Sequence, residues 1–259
     1  MTDAGTPSAG SRGVVYACSH PRWLGEAILS AQSVRQHMPD LRRQLFITRA
    51  TLKASDSVRL QDHFTEVRVL DQLMHDHRPR FEAVLQTDLD QAIIVDGDTY
   101  FVESVYELFE LLDQYDIGVA QEPEYLSPRA VAMKLYERLP KVSLAQPEWN
   151  TGVMVARVDG RFRAVIAEWI RLFGVCRSLG FDMDQAAFRS ALATSDLRIA
   201  TLPNNYNFRA HTSQGMAGIV KILHAHGDLP AIARTINVNP EVRAYGPRSD
   251  LIHGIAPRA

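Results

Sequence analysis

Two carboxylates one residue apart, Asp96 and Asp98, follow a short apolar run at residues 92–95. Three of the four apolar residues are β-branched, which predicts a buried strand that ends in a turn. Carboxylates this close repel each other when both are ionised, so a cation between them is favoured, and their hard oxygen atoms suit Mg²⁺ or Mn²⁺. Gly97 permits a sharp turn and the close approach of a ligand. The motif therefore predicts a divalent ion that bridges the phosphates of a nucleotide.

The same three residues also have a simpler interpretation. Asp-Gly-Asp is ordinary turn chemistry, so a solvated turn is the competing hypothesis. Apolar segments lie on both sides of the motif, at 92–95 and at 100–102. An exposed hairpin would not normally place its carboxylates between two buried segments, and for this reason we favour the metal site.

Composition and charge limit the class of protein. With 259 residues and 46% hydrophobic composition, the chain can bury a sizeable core, and we expect a disordered polar leader at 1–12 before a single domain at 13–259. The net charge of −2 gives no global field for nucleic acid, which we therefore exclude as a partner. No run reaches the roughly 20 apolar residues of a membrane span. Cys18 and Cys176 are far apart in sequence, so we expect buried thiols in a cytoplasmic protein.

Strands and helices alternate along the first 120 residues, which predicts parallel strands joined by crossover helices. In such sheets ligands bind beyond the carboxyl ends of the strands, where Asp96 and Asp98 fall. The fold class is thus α/β, with a mostly parallel open sheet and helices on both faces. The predicted strands are 13–18, 45–48, 67–70, 92–95, 117–120, 151–156 and 219–223, and the predicted helices are 23–38, 55–64, 79–89, 105–112, 130–139, 162–179 and 182–192.

Five motifs follow one another in a fixed order. They are Asp96-Gly97-Asp98, Asn150-Thr151-Gly152-Val153, Asp184-Gln185, Leu202-Pro203-Asn204-Asn205-Tyr206-Asn207 and Ile222-Leu223-His224. In this order they resemble the type-A glycosyltransferases, most closely the retaining group that includes glycogenin and the bacterial lipopolysaccharide galactosyltransferases. The resemblance implies the nucleotide-diphospho-sugar transferase fold. It also implies a metal site formed by Asp96, Asp98 and His224, for which His226 is the competing imidazole.

The resemblance also implies roles for residues around the metal. We expect Asp184 to recognise the sugar or the acceptor and Gln185 to lie near the anomeric carbon. Helix capping is the alternative role for Asp182 rather than for Asp184. An amide such as that of Asn150 can both donate to and accept from a sugar hydroxyl, and a strand-start cap is its alternative role. The residues expected to contact the donor are Tyr16, Ala17, Thr48, Arg80, Gly97, Asn150, Gly152 and Gly227.

The predicted function is a metal-dependent glycosyltransferase, in which a hexose moves from a nucleoside diphosphate sugar, expected to be UDP-linked, to an acceptor hydroxyl with retention of configuration. Two alternatives stay open: a sugar-nucleotide nucleotidyltransferase and a non-catalytic nucleotide-sugar binding protein. The first should carry a glycine-rich phosphate loop after the first strand, and residues 19–22 contain no glycine. No motif identifies the acceptor.

Overall fold

A computed structural model describes residues 10–55, 58–70, 79–123, 126–210, 212, 214–238, 243–245 and 253–254. The strands are β1 (Arg12–Cys18), β2 (Arg42–Thr48), β3 (Glu66–Leu70), β4 (Gln91–Val95), β5 (Thr99–Phe101), β6 (Ile117–Gln121), β7 (Trp149–Arg157), β8 (Ile199–Leu202), β9 (Phe208–Arg209), β10 (Gln214–Met216), β11 (Ile222–His224), β12 (Arg243–Tyr245) and β13 (His253–Gly254). The helices are α1 (Pro21–His37), α2 (Arg49–Lys53), α3 (Pro79–Gln86), α4 (Glu107–Leu111), α5 (Pro128–Ala132), α6 (Gly160–Ser178), α7 (Gln185–Ala193) and α8 (Leu229–Ile236), with single 3₁₀ turns at Leu60–Asp62, Leu135–Glu137 and Asn204–Tyr206.

A seven-stranded sheet with the order β3-β2-β1-β4-β7-β6-β8 forms the centre of the described structure. Its neighbouring strands are parallel, except that β7 runs antiparallel to both β4 and β6. The predicted mostly parallel open sheet is confirmed. Strand β7, which follows an irregular segment at 138–148, is the exception to the parallel crossover pattern.

Helices cover both faces of this sheet, as predicted. On one face α3, α6 and α7 pack through aromatic side chains, with the Trp169 ring 4.7 Å from that of Phe81 and 4.3 Å from that of Phe188. On the other face α1 and α4 cover β1, where Tyr16 and Phe64 meet edge to face. Each face therefore has its own apolar core, and the inner strands β2, β1, β4, β7 and β6 are largely buried on both sides.

A smaller sheet, β5-β11-β9, carries the late part of the chain back to the motif at 96–98. Strand β5 begins directly after Asp98 and pairs antiparallel with β11, so that His224 lies opposite Thr99. The Ala225 N–H then donates to the Asp98 carbonyl at 3.0 Å. This pairing is the reason that residues far apart in sequence share one site.

Several element boundaries differ from the prediction. Within the helix predicted at 55–64, residues 56 and 57 lie outside the described residues, and 58–64 contain a single 3₁₀ turn, Leu60–Asp62. The Thr48 hydroxyl accepts from the Thr51 N–H at the start of α2. Strand β1 begins at Arg12, one residue before its predicted start, and residues 1–9 of the predicted leader lie outside the described residues. Cys18 and Cys176 are free and buried, as expected. Among the described helices, none has both the length and the apolar composition that crossing a bilayer requires.

Candidate metal centre

A cavity of about 320 Å³ opens at the carboxyl ends of β1 and β4. Its size falls within the range of small-molecule sites, and its position is the one expected for a ligand in an open α/β sheet. The end of β1, the first turns of α1 and α3 and the turn after β4 form its wall. The lining residues are Ala17, Cys18, Ser19, Trp23, Glu26, Ala27, Pro79, Arg80, Val95, Asp96, Gly97, Asp98 and His226.

Three side chains form a group that could hold a metal ion at this cavity. Ligand atoms of Asp96, Asp98 and His224 all lie within 4.8 Å of one another. The His224 Nε2 atom is 3.6 Å from Asp98 Oδ1 and 3.8 Å from Asp96 Oδ2. Two carboxylates and one imidazole are a donor set that suits a divalent cation such as Mn²⁺ or Mg²⁺. The structure thus brings together the three predicted ligands.

Backbone contacts hold the two carboxylates at the sheet edge. The Asp96 N–H donates to the Gly152 carbonyl at 2.9 Å, which ties the turn to β7. The Thr99 hydroxyl donates to the Asp96 carbonyl, also at 2.9 Å. These bonds fix the backbone of the turn from both ends, so the positions of the carboxylates are set by the sheet.

The His224 ring lies against the backbone of Gly152. A Cβ atom at position 152 would be 2.0 Å from Cε1 of the imidazole, a distance that no real contact allows. Gly152 was expected to admit a sugar, and the structure shows that the space above this glycine is filled by the imidazole. The glycine therefore makes room for a metal ligand.

Charge in the site is unevenly balanced. Burial lowers the pKa of the His224 imidazole more than the carboxylates of Asp98 and Asp96 raise it, so the ring is held neutral, as a metal ligand must be. Burial also acts to lower the pKa of the Arg80 guanidinium, but Asp96 and Asp184 outweigh burial and raise that pKa. Arg80 Nη2 is 2.5 Å from Asp96 Oδ1, and its Nη1 donates to the Thr151 carbonyl at 2.8 Å. The carboxylates of Asp96 and Asp184 thus share one permanent cation, the Arg80 guanidinium.

His226, the competing imidazole, has different surroundings. Its ring stacks on Trp23 with 5.0 Å between the ring centres. Its Nδ1 atom lies 3.0 Å from a Glu26 oxygen and 3.5 Å from Asp98 Oδ2, and 60% of its side chain is exposed. His224, whose side chain is 10% exposed, completes the group with both carboxylates, whereas His226 forms part of the cavity mouth.

Other predicted donor residues fall into two groups. Ala17, Arg80 and Gly97 line the cavity. Tyr16 does not, which corrects that prediction, because alternation along β1 turns its side chain into the α1 face, where the hydroxyl hydrogen-bonds Ser30 at 3.2 Å. Thr48 caps α2 and is absent from the described cavity wall.

The remaining predicted residues lie deeper or at the rim. Gly227 has a φ of +112° and follows His226 at the mouth. Asp184 occupies the N-cap position before α7 and is 4% exposed, and its side chain makes no capping hydrogen bond. Asp182, the alternative cap, instead pairs with Arg129 and has a 77% exposed side chain.

Asn150 and Gln185 do not line the cavity, and both amides hydrogen-bond a buried carboxylate that the sequence reading missed, Glu122. Glu122 directly follows the carboxyl end of β6, the same kind of position as Asp96, and this rule could have found it. Asn207, which contacts His224, was also missed as a site residue, although it ends one of the five motifs.

Solved structures of glycosyltransferases share this architecture. The galactosyltransferase LgtC, in complex with donor and acceptor sugar analogues, has a TM-score of 0.56 at 14% identity, over 83% of this chain and 87% of that chain. The glycosyltransferase GlyE of Streptococcus pneumoniae TIGR4 has a TM-score of 0.56 at 16% identity, over 85% of this chain and 55% of that chain. The bifunctional glycosyltransferase WbbM, in its apo structure, has a TM-score of 0.51 at 11% identity, over 86% and 47% respectively.

At the level of sequence, no protein-family model matches the chain, and a search of curated proteins also finds no match. At identities of 11–16% the structural likeness establishes the fold, and the activity is a separate question. The order of the five motifs implies the same architecture. The chain has the fold of the type-A glycosyltransferases.

Proposed function

We propose that this protein is a metal-dependent glycosyltransferase that moves a hexose from a nucleoside diphosphate sugar, UDP-linked, to an acceptor hydroxyl. The observation that carries the proposal is the group formed by Asp96, Asp98 and His224 beside Arg80, at the strand-end edge of the cavity. The fold shared with known glycosyltransferases supports it. The acceptor class is left open.

Charge is the main demand of such a reaction. The bond between the anomeric carbon and a diphosphate oxygen breaks, its electron pair goes to that oxygen, and the leaving group gains negative charge. A bound Mn²⁺ or Mg²⁺, held by Asp96, Asp98 and His224, would stabilise this charge as a Lewis acid. The Arg80 guanidinium, held 2.5 Å from Asp96, supplies a fixed positive charge at the same place. Both would stabilise the transition state more than the ground state.

The cavity suits the rest of the donor. Ala17 and Ser19 line it at the end of β1, and Trp23 and Glu26 line it from α1. The Glu26 carboxylate can accept the N–H groups of a base, while the Trp23 ring stacks on His226 at the mouth. We therefore place the nucleoside between β1 and α1, and the diphosphate at the turn that contains Gly97.

Retention of configuration is part of the proposal. In a retaining reaction the acceptor oxygen bonds on the face that the diphosphate leaves, and its proton can pass to the departing diphosphate oxygen, so no strong protein base is required. Gln185, at the start of α7, is proposed to lie near the anomeric carbon, and Asp184 before it to recognise the sugar or acceptor. The Asp184 carboxylate contributes to the raised pKa of the Arg80 guanidinium, which supports a role for this acid close to Arg80.

A donor survey tests the proposal. The protein is incubated with several sugar nucleotides and Mn²⁺, with and without EDTA, and the products are identified. We expect release of nucleoside diphosphate that EDTA abolishes, and an α-linked product from an α-linked donor once an acceptor is found. Pyrophosphate-dependent exchange would instead indicate a nucleotidyltransferase. Donor binding without turnover, across donors and acceptors, would indicate a binding protein and contradict the proposal.

A further inference from the structure

A buried carboxylate, Glu122, lies at the centre of a hydrogen-bond network behind the metal centre. Its residue is 4% exposed, and Arg209 Nη1 donates to both of its oxygens, at 2.8 and 2.9 Å. Its Oε2 atom also accepts hydrogen bonds from Asn150 Nδ2 at 2.8 Å and from Gln185 Nε2 at 3.0 Å. An ionised carboxylate can only accept, so both amides must turn their nitrogen atoms toward Glu122.

The orientation of Asn150 is fixed from a second side. Its Oδ1 atom accepts from the Gly152 backbone N–H at 2.9 Å and from Asn207 Nδ2 at 2.8 Å. A backbone N–H is always a donor, so this contact requires the amide oxygen and agrees with the orientation that Glu122 requires. Because Asn150 presents its oxygen to Asn207, Asn207 must donate from its Nδ2 atom.

The network ends on the metal ligand. Asn207 donates with its nitrogen, so its Oδ1 atom faces His224 Nδ1, 2.8 Å away, and the imidazole must donate from Nδ1. A neutral imidazole that carries its proton on Nδ1 has its lone pair on Nε2. Nε2 is the atom that lies 3.6 Å from the Asp98 carboxylate. The proton is thus kept away from the position where an ion would bind.

A second branch of the network reaches Gln185. Since Gln185 Nε2 donates to Glu122, the carbonyl oxygen of this amide is directed away from the carboxylate. An amide oxygen at the proposed position near the anomeric carbon can stabilise positive charge on the sugar. One carboxylate therefore sets the direction of two groups, one for the metal and one for the sugar.

We propose that Glu122 is a positioning residue that, through Asn150 and Asn207, holds His224 in the tautomer that binds metal and, through Gln185, turns an amide oxygen to the sugar. This inference rests on the proposed function for the roles of His224 and Gln185. The hydrogen-bond polarity of the network is independent of it and can be tested in the metal-free protein.

Replacing the carboxylate by an amide should disturb this polarity. In Glu122→Gln one accepting oxygen is replaced by a donating nitrogen, so the four hydrogen bonds that Arg209, Asn150 and Gln185 make to the two carboxylate oxygens cannot all be kept. If Asn150 turns over, Asn207 follows, and His224 Nδ1 then faces an amide nitrogen. The imidazole proton moves to Nε2, which opposes metal binding.

The experiment measures two properties of purified protein at pH 8. Two-bond proton–nitrogen correlation NMR spectra of the metal-free protein report the tautomer of His224, assigned by its loss in His224→Ala. Electron paramagnetic resonance titration reports Mn²⁺ affinity. Glu148→Gln is the matched control, because Glu148 is a carboxylate that is 2% exposed, borders Glu122 and bonds to Tyr136 and the Ser127 N–H instead.

We expect an Nδ1–H tautomer in the wild type and in Glu148→Gln. In Glu122→Gln we expect a shift toward Nε2–H and Mn²⁺ binding about 10- to 100-fold weaker, the usual cost of losing a partner of a metal-bound histidine. Wild-type tautomer and wild-type Mn²⁺ affinity in Glu122→Gln would overturn the proposal. If that variant does not fold, Asn207→Leu removes the acceptor of Nδ1, and the same pair of results applies.

The two proposals fail in different ways. If the wild type does not bind Mn²⁺, the proposed metal-dependent function fails, and the tautomer spectra alone then decide the positioning role of Glu122. If the wild type binds Mn²⁺ and releases nucleoside diphosphate, but Glu122→Gln leaves the His224 tautomer unchanged, the positioning role fails and the function stands.

Discussion

Two acidic sites lie at opposite ends of the strands of the central sheet, and they differ in how their negative charge is balanced. Strands β4 and β6 run in the same direction, because each is antiparallel to β7. Asp96 and Asp98 follow the end of β4, whereas Asp116 precedes the start of β6. Asp96 and Asp98 therefore lie beside a cavity at the carboxyl ends of these strands, and Asp116 is buried at their amino ends.

Asp116 has more partners than its charge requires. Arg161 and Arg198 both donate to it, at 2.5 and 3.3 Å, and the Arg198 N–H adds a bond of 2.8 Å. Hydrogen bonds from Arg198, together with those from Arg161, outweigh burial and hold the pKa of Asp116 at about 2. Its side chain is 3% exposed. This cluster is complete and serves stability.

The pair at the carboxyl ends of the strands is balanced less well. Among the described residues, Asp96 and Asp98 face one guanidinium, that of Arg80, and two imidazoles, those of His224 and His226. A surplus of negative charge therefore remains at the cavity wall. The difference teaches that an acid satisfied by the protein stabilises the fold, while acids left with excess charge beside a cavity are suited to an external cation.

The largest expected effect is on turnover, from Asp98→Asn. We expect metal-dependent release of nucleoside diphosphate to fall by at least about 100-fold, because a ligand of the charge-stabilising ion is lost. Thermal stability of the metal-free protein should be unchanged or raised, since a like-charge pair is relieved. Full activity of Asp98→Asn with bound Mn²⁺ would show that Asp98 is not a metal ligand.

Gly152→Ala tests the site through shape and leaves its charges unchanged. The added Cβ would meet the His224 ring at 2.0 Å, so the imidazole must move. We expect Mn²⁺ affinity to fall by about 10- to 100-fold in a titration of the purified protein. Gly174→Ala, on an exposed turn of α6 with open space around the new Cβ, is the control and should raise stability by about 0.5–1 kcal/mol. Unchanged Mn²⁺ affinity in Gly152→Ala would place the metal elsewhere.

Asp116→Asn should act on stability and spare the site. We expect the free energy of unfolding at pH 7 to fall by about 2 kcal/mol in urea denaturation, the usual size for hydrogen bonds to a charged group. Because the pKa of Asp116 is depressed to about 2, its contribution is complete above the unfolded value of about 4 and is lost as pH falls through 2. The difference between wild type and variant should therefore shrink from pH 4 to pH 2. A pH-independent difference would contradict the ion-pair role, and weaker Mn²⁺ binding would break the comparison.

Arg80→Lys is expected to give the smallest effect. The charge is kept, but an ammonium cannot reproduce the two-pronged contact with Asp96 and the Thr151 carbonyl. We expect kcat to fall about 10-fold, less than the roughly 100-fold that follows outright loss of a stabilising donor. Arg163→Lys is the control, since Arg163 binds backbone carbonyls of α3 and Thr87 away from the cavity, and its turnover should be normal. A kcat of Arg80→Lys equal to that of the wild type would show that Arg80 does not stabilise the charge of the leaving group.

Much of the site could be predicted because it obeys local rules. An apolar run before Asp96 and Asp98 indicates a strand end, and open α/β sheets bind ligands there. His224 could be added through the order of motifs, although its contact with the acids depends on the pairing of β5 with β11. The sequence does not encode that pairing in any local pattern.

The remaining features depend on packing that no spacing reveals. Tyr16 was expected at the cavity, but side-chain alternation turned it into the core beneath α1. The glycine at 152 signals close approach without showing what approaches, and the imidazole of His224 does so. Glu122 gains its role from the convergence of β6, β7, β9 and α7, so its partners are visible only in three dimensions.

Anomalous diffraction from crystals grown with Mn²⁺ and UDP tests the central claim most directly. We predict one strong manganese peak bound by carboxylate oxygens of Asp96 and Asp98 and by Nε2 of His224, with diphosphate oxygens completing its shell. A peak bound by other residues, or diphosphate bound at the cavity with no manganese beside these three side chains, would contradict the account.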